Sequence, residues 1–207
     1  QNMGGLTFGQ DEDGNWGYKI GGADTVIPFS STLINNDDNE LMSYWKSFYI
    51  VETTAGSVSF SRSSTDNNIQ FSGSSPVGAG EKFQYAIYNK KINFSKIHSI
   101  TIQYSQHSTT TSGAYGYVWP TWLTIFNENT DLNSLNSIVS NPQQSDPMQQ
   151  IYADNIVQCN IAANIEGDNQ SITIDIDIND MAYIGFCFMV RPDHNEWTRI
   201  HSIILNK

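Results

Sequence analysis

The segment 171–178, with the sequence SITIDIDI, constrains the fold more than any other part of this chain. Isoleucine occupies every second position, and serine, threonine or aspartate fills the positions between. Successive side chains of a β-strand point to opposite faces, so the alternation predicts a strand with one buried and one hydrated face. The chain is therefore expected to fold around a β-sheet.

Other segments extend this prediction to the whole chain. Short alternating or apolar runs predict strands at 48–51, 56–61, 68–72, 82–88, 98–104, 122–126, 182–190 and 198–205. The last two, with turn residues at 192–195 between them, predict an antiparallel hairpin. Capping residues predict short helices over 41–45, over 132–139 and after Ser145. The predicted fold is all-β: a two-sheet antiparallel sandwich of jelly-roll kind with one to three short helices, and a barrel is the alternative.

Composition excludes some classes of function. Of 207 residues, 15% are charged and 39% hydrophobic, and the formal net charge is −11. Phosphate backbones are bound through lysine and arginine, of which there are only ten, so a nucleic-acid partner is not expected. No run of about 18 apolar residues exists, so no membrane insertion is predicted. A neutral glycan remains compatible with an acidic surface.

Candidates for catalysis are weak. Asp175 and Asp177 share one strand face and lie roughly 6–7 Å apart at about 3.3 Å per residue, a spacing that glycoside hydrolysis uses. A hydrated outer face explains the same pattern, because charged outer residues also prevent edge-to-edge pairing. No Gly-x-Ser-x-Gly sequence is present. The chain is predicted to be non-enzymatic, and a polysaccharide-degrading hydrolase is the alternative.

No metal or cofactor is predicted. Asp11 and Asp13 begin like a calcium-binding loop, but the twelfth position, Gly22, lacks the required carboxylate. Cys159 and Cys187 are the two cysteines. A buried thiol at Cys187 and a disulfide between the two both agree with the sequence.

The segment 107–122 is the first candidate for a binding site. Tyr115, Tyr117 and Trp119 are spaced by two and share a face in an extended conformation. Flat aromatic faces beside serine and threonine suit sugar rings, and rings that fill the sandwich core are the alternative. The candidate ligand-binding residues here are His107, Tyr115, Tyr117, Trp119 and Trp122.

The segment 193–197, DHNEW, is the second candidate. It reads as a polar loop that carries Asp193, His194 and Trp197. These three residues are predicted to contact a ligand. A hairpin tip with an ordinary packed tryptophan is the alternative.

The N-terminal part carries a family resemblance. The sequences GNWGY at 14–18 and GADTVIPF at 22–29 resemble a stretch that recurs in tail and receptor-binding proteins of phages of Gram-positive bacteria. There it precedes or links a distal domain. The glycines permit backbone angles barred to other residues, and Pro28 enforces an extended exit. Residues 1–35 are therefore expected to be an attachment segment and 36–207 a β-sandwich head, with a simple N-terminal strand on the sandwich as the alternative.

This resemblance implies a setting. It implies a receptor-binding head in a virion tail, assembled as a homotrimer with other tail proteins and directed at a bacterial surface polysaccharide. Two alternatives stay open. One is a secreted bacterial carbohydrate-binding module or adhesin at the cell surface, and the other is a virion structural protein without a ligand.

Overall fold

The computed structural model describes residues 5–11, 16–22, 24, 26–28, 41–51, 55–63, 68–79, 82–110, 121–133, 156–161 and 166–207. Its first seven strands are β1 (Leu6–Gln10), β2 (Trp16–Ile20), β3 (Ile27–Pro28), β4 (Trp45–Val51), β5 (Ser57–Arg62), β6 (Ile69–Ser75) and β7 (Lys82–Tyr88). The others are β8 (Ile92–Asn93), β9 (Ser99–Thr110), β10 (Trp122–Asn127), β11 (Ile156–Ile161), β12 (Gly167–Asp175), β13 (Met181–Val190) and β14 (His194–Asn206).

Two large sheets form a sandwich. The first has the order β11-β10-β13-β7-β4, with β8 paired to β13, and the second has the order β12-β9-β14-β6-β5. Every pairing in them is antiparallel. One hydrophobic core lies between the sheets and takes side chains from both, among them Phe71, Ile100, Ile184 and Phe186. The predicted two-sheet antiparallel sandwich is confirmed.

The alternating isoleucines of the segment 171–178 face the core, as the sequence predicts. Ile174 and Ile176 are buried in the core, and Asp175 and Asp177 are exposed. Ile172 and Ile178 pack against the same core from its margin. The strand itself ends at Asp175, so the last isoleucines reach the core from the residues that follow it.

The predicted C-terminal hairpin is wrong. β13 lies in the first sheet between β10 and β7, whereas β14 lies in the second between β9 and β6. The chain therefore crosses between the sheets at 191–193. The burial of the strands gives the reason. β13 is buried on both faces over most of its length, which requires cover on both sides, whereas β14 alternates buried and partly exposed residues.

A second hydrophobic cluster lies on the other face of the first sheet. It includes Cys187 with Phe48, Tyr85 and Met189, and the rings of Phe48 and Tyr85 stack at 4.8 Å. β10 separates the strands of the two cysteines, since Cys187 pairs with Trp122 and Cys159 with Thr124. Two strand spacings, about 9.5 Å, separate their backbones. That exceeds the Cα–Cα limit of roughly 7 Å for a disulfide, so the strand register does not place Cys159 and Cys187 close enough to bridge.

The first three strands form a small sheet of their own. β1 pairs with β2 and β2 with β3, so the sequence GADTVIPF supplies the short third strand. Leu6, Phe8 and Ile20 lie on one face of this sheet and are exposed. Lys207 reaches Asp11 with a 3.4 Å ion pair. The division into an attachment segment and a head stays a prediction.

Helical structure is limited to single turns in the described residues. A 3-10 turn at Leu41–Tyr44 occupies the place of the first predicted helix. A second, Phe94–Lys96, was not predicted, and the Asn93 side chain caps it by accepting the N–H of Ser95. The other predicted helices fall largely outside the described residues. No helix in the described part is long and apolar enough to cross a membrane.

Candidate functional site

The outer face of the second sheet is built from short polar side chains. Strand alternation turns Ile69, Phe71 and Ile200 into the core and their neighbours outward. The outward residues include Ser57, Ser59 and Ser61 of β5, Ser72 and Ser74 of β6, and Thr101, Gln103 and Thr109 of β9. Pairs across neighbouring strands hold the hydroxyls in place, as between Ser59 and Ser72, whose oxygens are 2.9 Å apart.

A groove of about 300 Å³ crosses this face. One part of its lining comes from Ser57, Gln70, Ser72 and Ser74, and another from His107, Thr109, Asn195 and Trp197. These residues belong to β5, β6, β14 and β9, which are consecutive in the sheet. Three spacings of about 4.8 Å make the groove roughly 14 Å long across the strands.

Trp197 is the large side chain in this groove. Register places it opposite Ser72 of β6 on one side and His107 of β9 on the other. Its ring is partly exposed and lies 4.6 Å from the His107 ring. The guanidinium carbon of Arg199 lies 4.5 Å from the centre of the same ring, and Arg199 donates through Nε to Gln70 at 2.8 Å. The indole is thus held in a fixed orientation among hydroxyl groups.

His107 is tied to two carboxylates. Its Nε2 lies 3.0 Å from Oδ1 of Asp168, and its Nδ1 lies 3.6 Å from Oε1 of Glu166. Glu166 also accepts the backbone N–H of Ser108 at 3.4 Å. The Asp168 side chain is 70% exposed, so accessible carboxylate oxygens lie beside the groove, next to His107.

A buried carboxylate lies beneath the groove. The Glu196 side chain is 4% exposed and points into the sandwich, where it accepts from the Ser108 hydroxyl and from Arg191. Burial raises the pKa of Glu196 above its usual range, and the positive charge of Arg191 and the Ser108 hydrogen bond oppose the rise. The floor of the groove therefore rests on an ionisable group that is cut off from water.

The structure brings together two of the residues predicted to bind a ligand, His107 and Trp197. They belong to β9 and β14, so the predicted polar loop at 193–197 is wrong from residue 194 onward. His194 is 8% exposed and lies on the face opposite Trp197, with Nδ1 2.7 Å from the carbonyl of Pro192. Asp193 lies in the crossover with a positive φ of 65°.

The remaining predicted residues lie elsewhere. Trp122 belongs to the first sheet and packs against the second hydrophobic cluster. Tyr115, Tyr117 and Trp119 fall outside the described residues. Their role in binding stays a prediction.

Sequence reasoning did not identify most of the groove. In the sequence, the serines of β5 and β6 indicate only the polar positions of alternating strands. A signal was present in the sequence, because Asn195, Trp197 and Arg199 are spaced by two and must share a face once β14 is recognised. Among the described residues, no group of three His, Cys, Asp or Glu side chains is arranged to hold a metal ion.

Comparisons with known proteins give distant similarities. No protein-family model and no curated protein sequence matches the chain. One similar solved structure is a family 11 carbohydrate-binding module from Clostridium thermocellum in complex with a β-1,3-1,4-mixed-linked tetrasaccharide. The identity is 12% and the TM-score 0.42, with 85% of this chain and 95% of that one covered.

Two further structures are similar at the same level. One is the enzymatically active domain of tailspike protein 4 of bacteriophage CBA120, with 13% identity and a TM-score of 0.44. The matched region covers 84% of this chain and 21% of the tailspike chain. Lectin II from Ulex europaeus has 11% identity and a TM-score of 0.40, with 78% of this chain and 99% of the lectin covered.

Proposed function

We propose that this chain is a non-enzymatic glycan-binding domain and that the groove around Trp197 is its binding site. One observation carries the proposal: a partly exposed indole, fixed by His107 and Arg199, in a groove lined by hydroxyl and amide side chains. The face of an aromatic ring is electronegative and attracts the polarised C–H groups of a sugar. A few placed polar groups then set the orientation of the ligand.

The groove suits a short stretch of a polysaccharide chain. Ser72 lies on one side of the indole and His107 on the other, so hydroxyl and carboxylate groups are available along the line that crosses the strands. Asp168 accepts from His107 through one oxygen and is otherwise largely exposed. A carboxylate accepts several hydrogen bonds, so Asp168 can also bind sugar hydroxyls.

We further propose that the domain is the receptor-binding head of a phage tail protein that recognises a bacterial surface polysaccharide. The support is the resemblance of residues 14–29 to tail proteins of phages of Gram-positive bacteria. In a homotrimer joined to other tail proteins, several weak sites act together. Avidity then exceeds the affinity of each site by about 10²–10⁴ where the geometry allows simultaneous contact.

The test compares two candidate sites on one chain. Trp197→Ala is measured for adsorption to immobilised cell-wall polysaccharide from a panel of Gram-positive bacteria, beside Tyr117→Ala and Trp119→Ala. Val77→Ala is the matched control, since it trims an apolar side chain that is 74% exposed, lies outside the groove and is not part of the N-terminal sheet. Thermal unfolding of each variant separates lost binding from lost folding.

We expect Trp197→Ala to lower adsorption at least about tenfold, as loss of an aromatic anchor at the centre of a binding site does. Its thermal midpoint should fall by only a few degrees, because the ring is partly exposed. Normal adsorption by a folded Trp197→Ala variant overturns the groove as the binding site. If Tyr117→Ala or Trp119→Ala alone loses adsorption, the glycan binds at the predicted aromatic segment instead.

A further inference from the structure

Two β-bulges flank β9 beside the groove. In β12, Asp168 and Asn169 together oppose the single residue Ser105, because the pairing with β9 shifts between Gly167 and Gln170. In β14, His201 is an extra residue between the pairs formed by Ile200 and Ser202. Bulges bend a strand and re-aim its side chains, and they occur frequently beside functional sites.

One hydroxyl group joins the two bulges. Ser105 Oγ lies 2.7 Å from Nε2 of His201, and it accepts the backbone N–H of Asn169 at 3.0 Å. His201 is held in turn by Asn68, whose side-chain amide lies 2.8 Å from its Nδ1. The chain of contacts runs from Asn68 through His201 and Ser105 to the backbone of the β12 bulge.

The β12 bulge has a backbone that needs such support. Asn169 has a φ of 53° and Gly167 a φ of 142°, both in the region that side chains disfavour. The Gln170 side chain donates to the Asp168 carbonyl at 3.0 Å and fills the space beside Gly167. The Asn169 N–H is one group through which β9, and β14 through His201, hold this conformation from outside β12.

This conformation sets the position of the carboxylate beside the groove. Asp168 directly precedes Asn169, and its Oδ1 lies 3.0 Å from Nε2 of His107. His107 in turn lies against Trp197 at 4.6 Å between ring centres. A change at the Asn169 N–H therefore reaches the indole through two contacts, first the carboxylate and then the imidazole.

We propose that His201 is a positioning residue of the groove, which acts through Ser105 and the Asn169 N–H to set the places of Asp168 and His107. The effect of His201 on ligand binding rests on the glycan-binding function proposed above. The effect of His201 on the β12 bulge does not depend on that function and is measured without any ligand.

The same three residues resemble a catalytic triad in their order of contact. Ser105 would be the nucleophile, His201 the base and Asn68 the residue that orients the base. Ser105 is 4% exposed, and its oxygen already accepts the Asn169 N–H. A substrate carbonyl has no approach to an oxygen so enclosed. The burial therefore assigns these contacts to positioning rather than to acyl transfer.

The experiment compares four variants in the full chain. Ser105→Ala and His201→Phe remove the contact between residues 105 and 201. His201→Gln places a side-chain amide where the imidazole Nε2 lies, so it can still contact Ser105. Ser202→Ala is the control, because it removes a hydroxyl that donates to Gln103 at 2.9 Å on the same face but outside that contact. NMR follows amide exchange at Asn169 and the ring signals of His107.

We expect Asn169 to exchange about fivefold faster in Ser105→Ala and His201→Phe, which is the effect of losing one hydrogen bond. The His107 ring signals should shift in both, stay near wild type in Ser202→Ala, and be largely restored in His201→Gln. Unchanged exchange and ring signals in Ser105→Ala, which removes a single oxygen atom, overturn the proposal even where His201→Phe fails to fold. If the wild-type chain adsorbs to no polysaccharide, the proposed function is overturned. Amide exchange at Asn169 and the ring signals of His107 still test the positioning role in that case.

Discussion

Glu196 and Trp197 are consecutive in β14, and their side chains lie on opposite faces of the sheet. The carboxylate is buried against Ser108 and Arg191, and the indole lies in the groove beside His107. Ser108 and His107 are likewise consecutive in β9 and stand opposite this pair. The buried polar contact and the groove therefore share the same two dipeptides, so the protonation of Glu196 bears on the stability of the strands that form the groove.

The first prediction is a pH dependence of stability that arises from Glu196. Its pKa is raised in the folded chain above the ordinary value of 4.5, so the folded state binds this proton more tightly than the unfolded state. The free energy of unfolding should therefore fall as pH rises from 4.5 through the raised pKa of the folded state.

Urea unfolding between pH 4 and pH 8 measures this effect. Glu196→Gln keeps the size and an acceptor for Ser108 but does not titrate, so the loss of stability across that window should be smaller in this variant. Identical pH profiles for the two proteins would contradict the assignment.

The second prediction concerns the two faces of β12. Ile174 is buried between the sheets, so Ile174→Ala should lower the free energy of unfolding by about 2–5 kcal/mol through lost burial and a cavity. Asp175→Ala and Asp177→Ala should each change it by less than about 1 kcal/mol, because both side chains are exposed. Chemical denaturation measures all three. Equal losses from the isoleucine and the aspartates would be incompatible with this orientation.

Most strands could be predicted from sequence because alternation is a local property. Ile172, Ile174 and Ile176 indicate which way their strand faces without reference to any partner. The assignment of strands to sheets could not be predicted in the same way. β13 and β14 are separated by only three residues, 191–193, yet they join different sheets. That choice depends on β7, β10, β6 and β9, which are distant in sequence.

The groove was less predictable for the same reason. Ser57, Ser72, His107 and Trp197 come together only after four strands pair in the order β5-β6-β14-β9. The sequence indicates His107 and Trp197 as separate candidates, and nothing in it shows that they lie side by side on β9 and β14. The bulges in β12 and β14 could not be predicted from the sequence either, because a single extra residue in a strand interrupts no obvious pattern.

The third prediction is the oligomeric state implied by the tail-protein resemblance. Leu6, Phe8 and Ile20 expose one apolar face of the small N-terminal sheet, and a homotrimer would cover it. Analytical ultracentrifugation should give a mass three times 23.2 kDa. Phe8→Asp should shift the chain to a monomer, and Val77→Asp, an exposed position outside this sheet, should not. A wild-type monomer at high micromolar concentration would rule the trimer out.

The fourth prediction uses two serines of the same face. Ser72 lines the groove directly beside Trp197, whereas Ser61 points outward from β5 and is not part of the groove lining. One hydrogen bond contributes about 0.5–1.5 kcal/mol net, so Ser72→Ala should weaken adsorption to the polysaccharide panel roughly two- to tenfold. Ser61→Ala should leave adsorption unchanged, and both variants should keep the wild-type thermal midpoint within about two degrees, because Ser61 is exposed and Ser72 is partly exposed on the outer face. Isothermal titration with soluble fragments of an adsorbing polysaccharide measures the difference. An equal effect of the two serines would mean that the hydroxyl face, rather than the groove at Trp197, contacts the glycan.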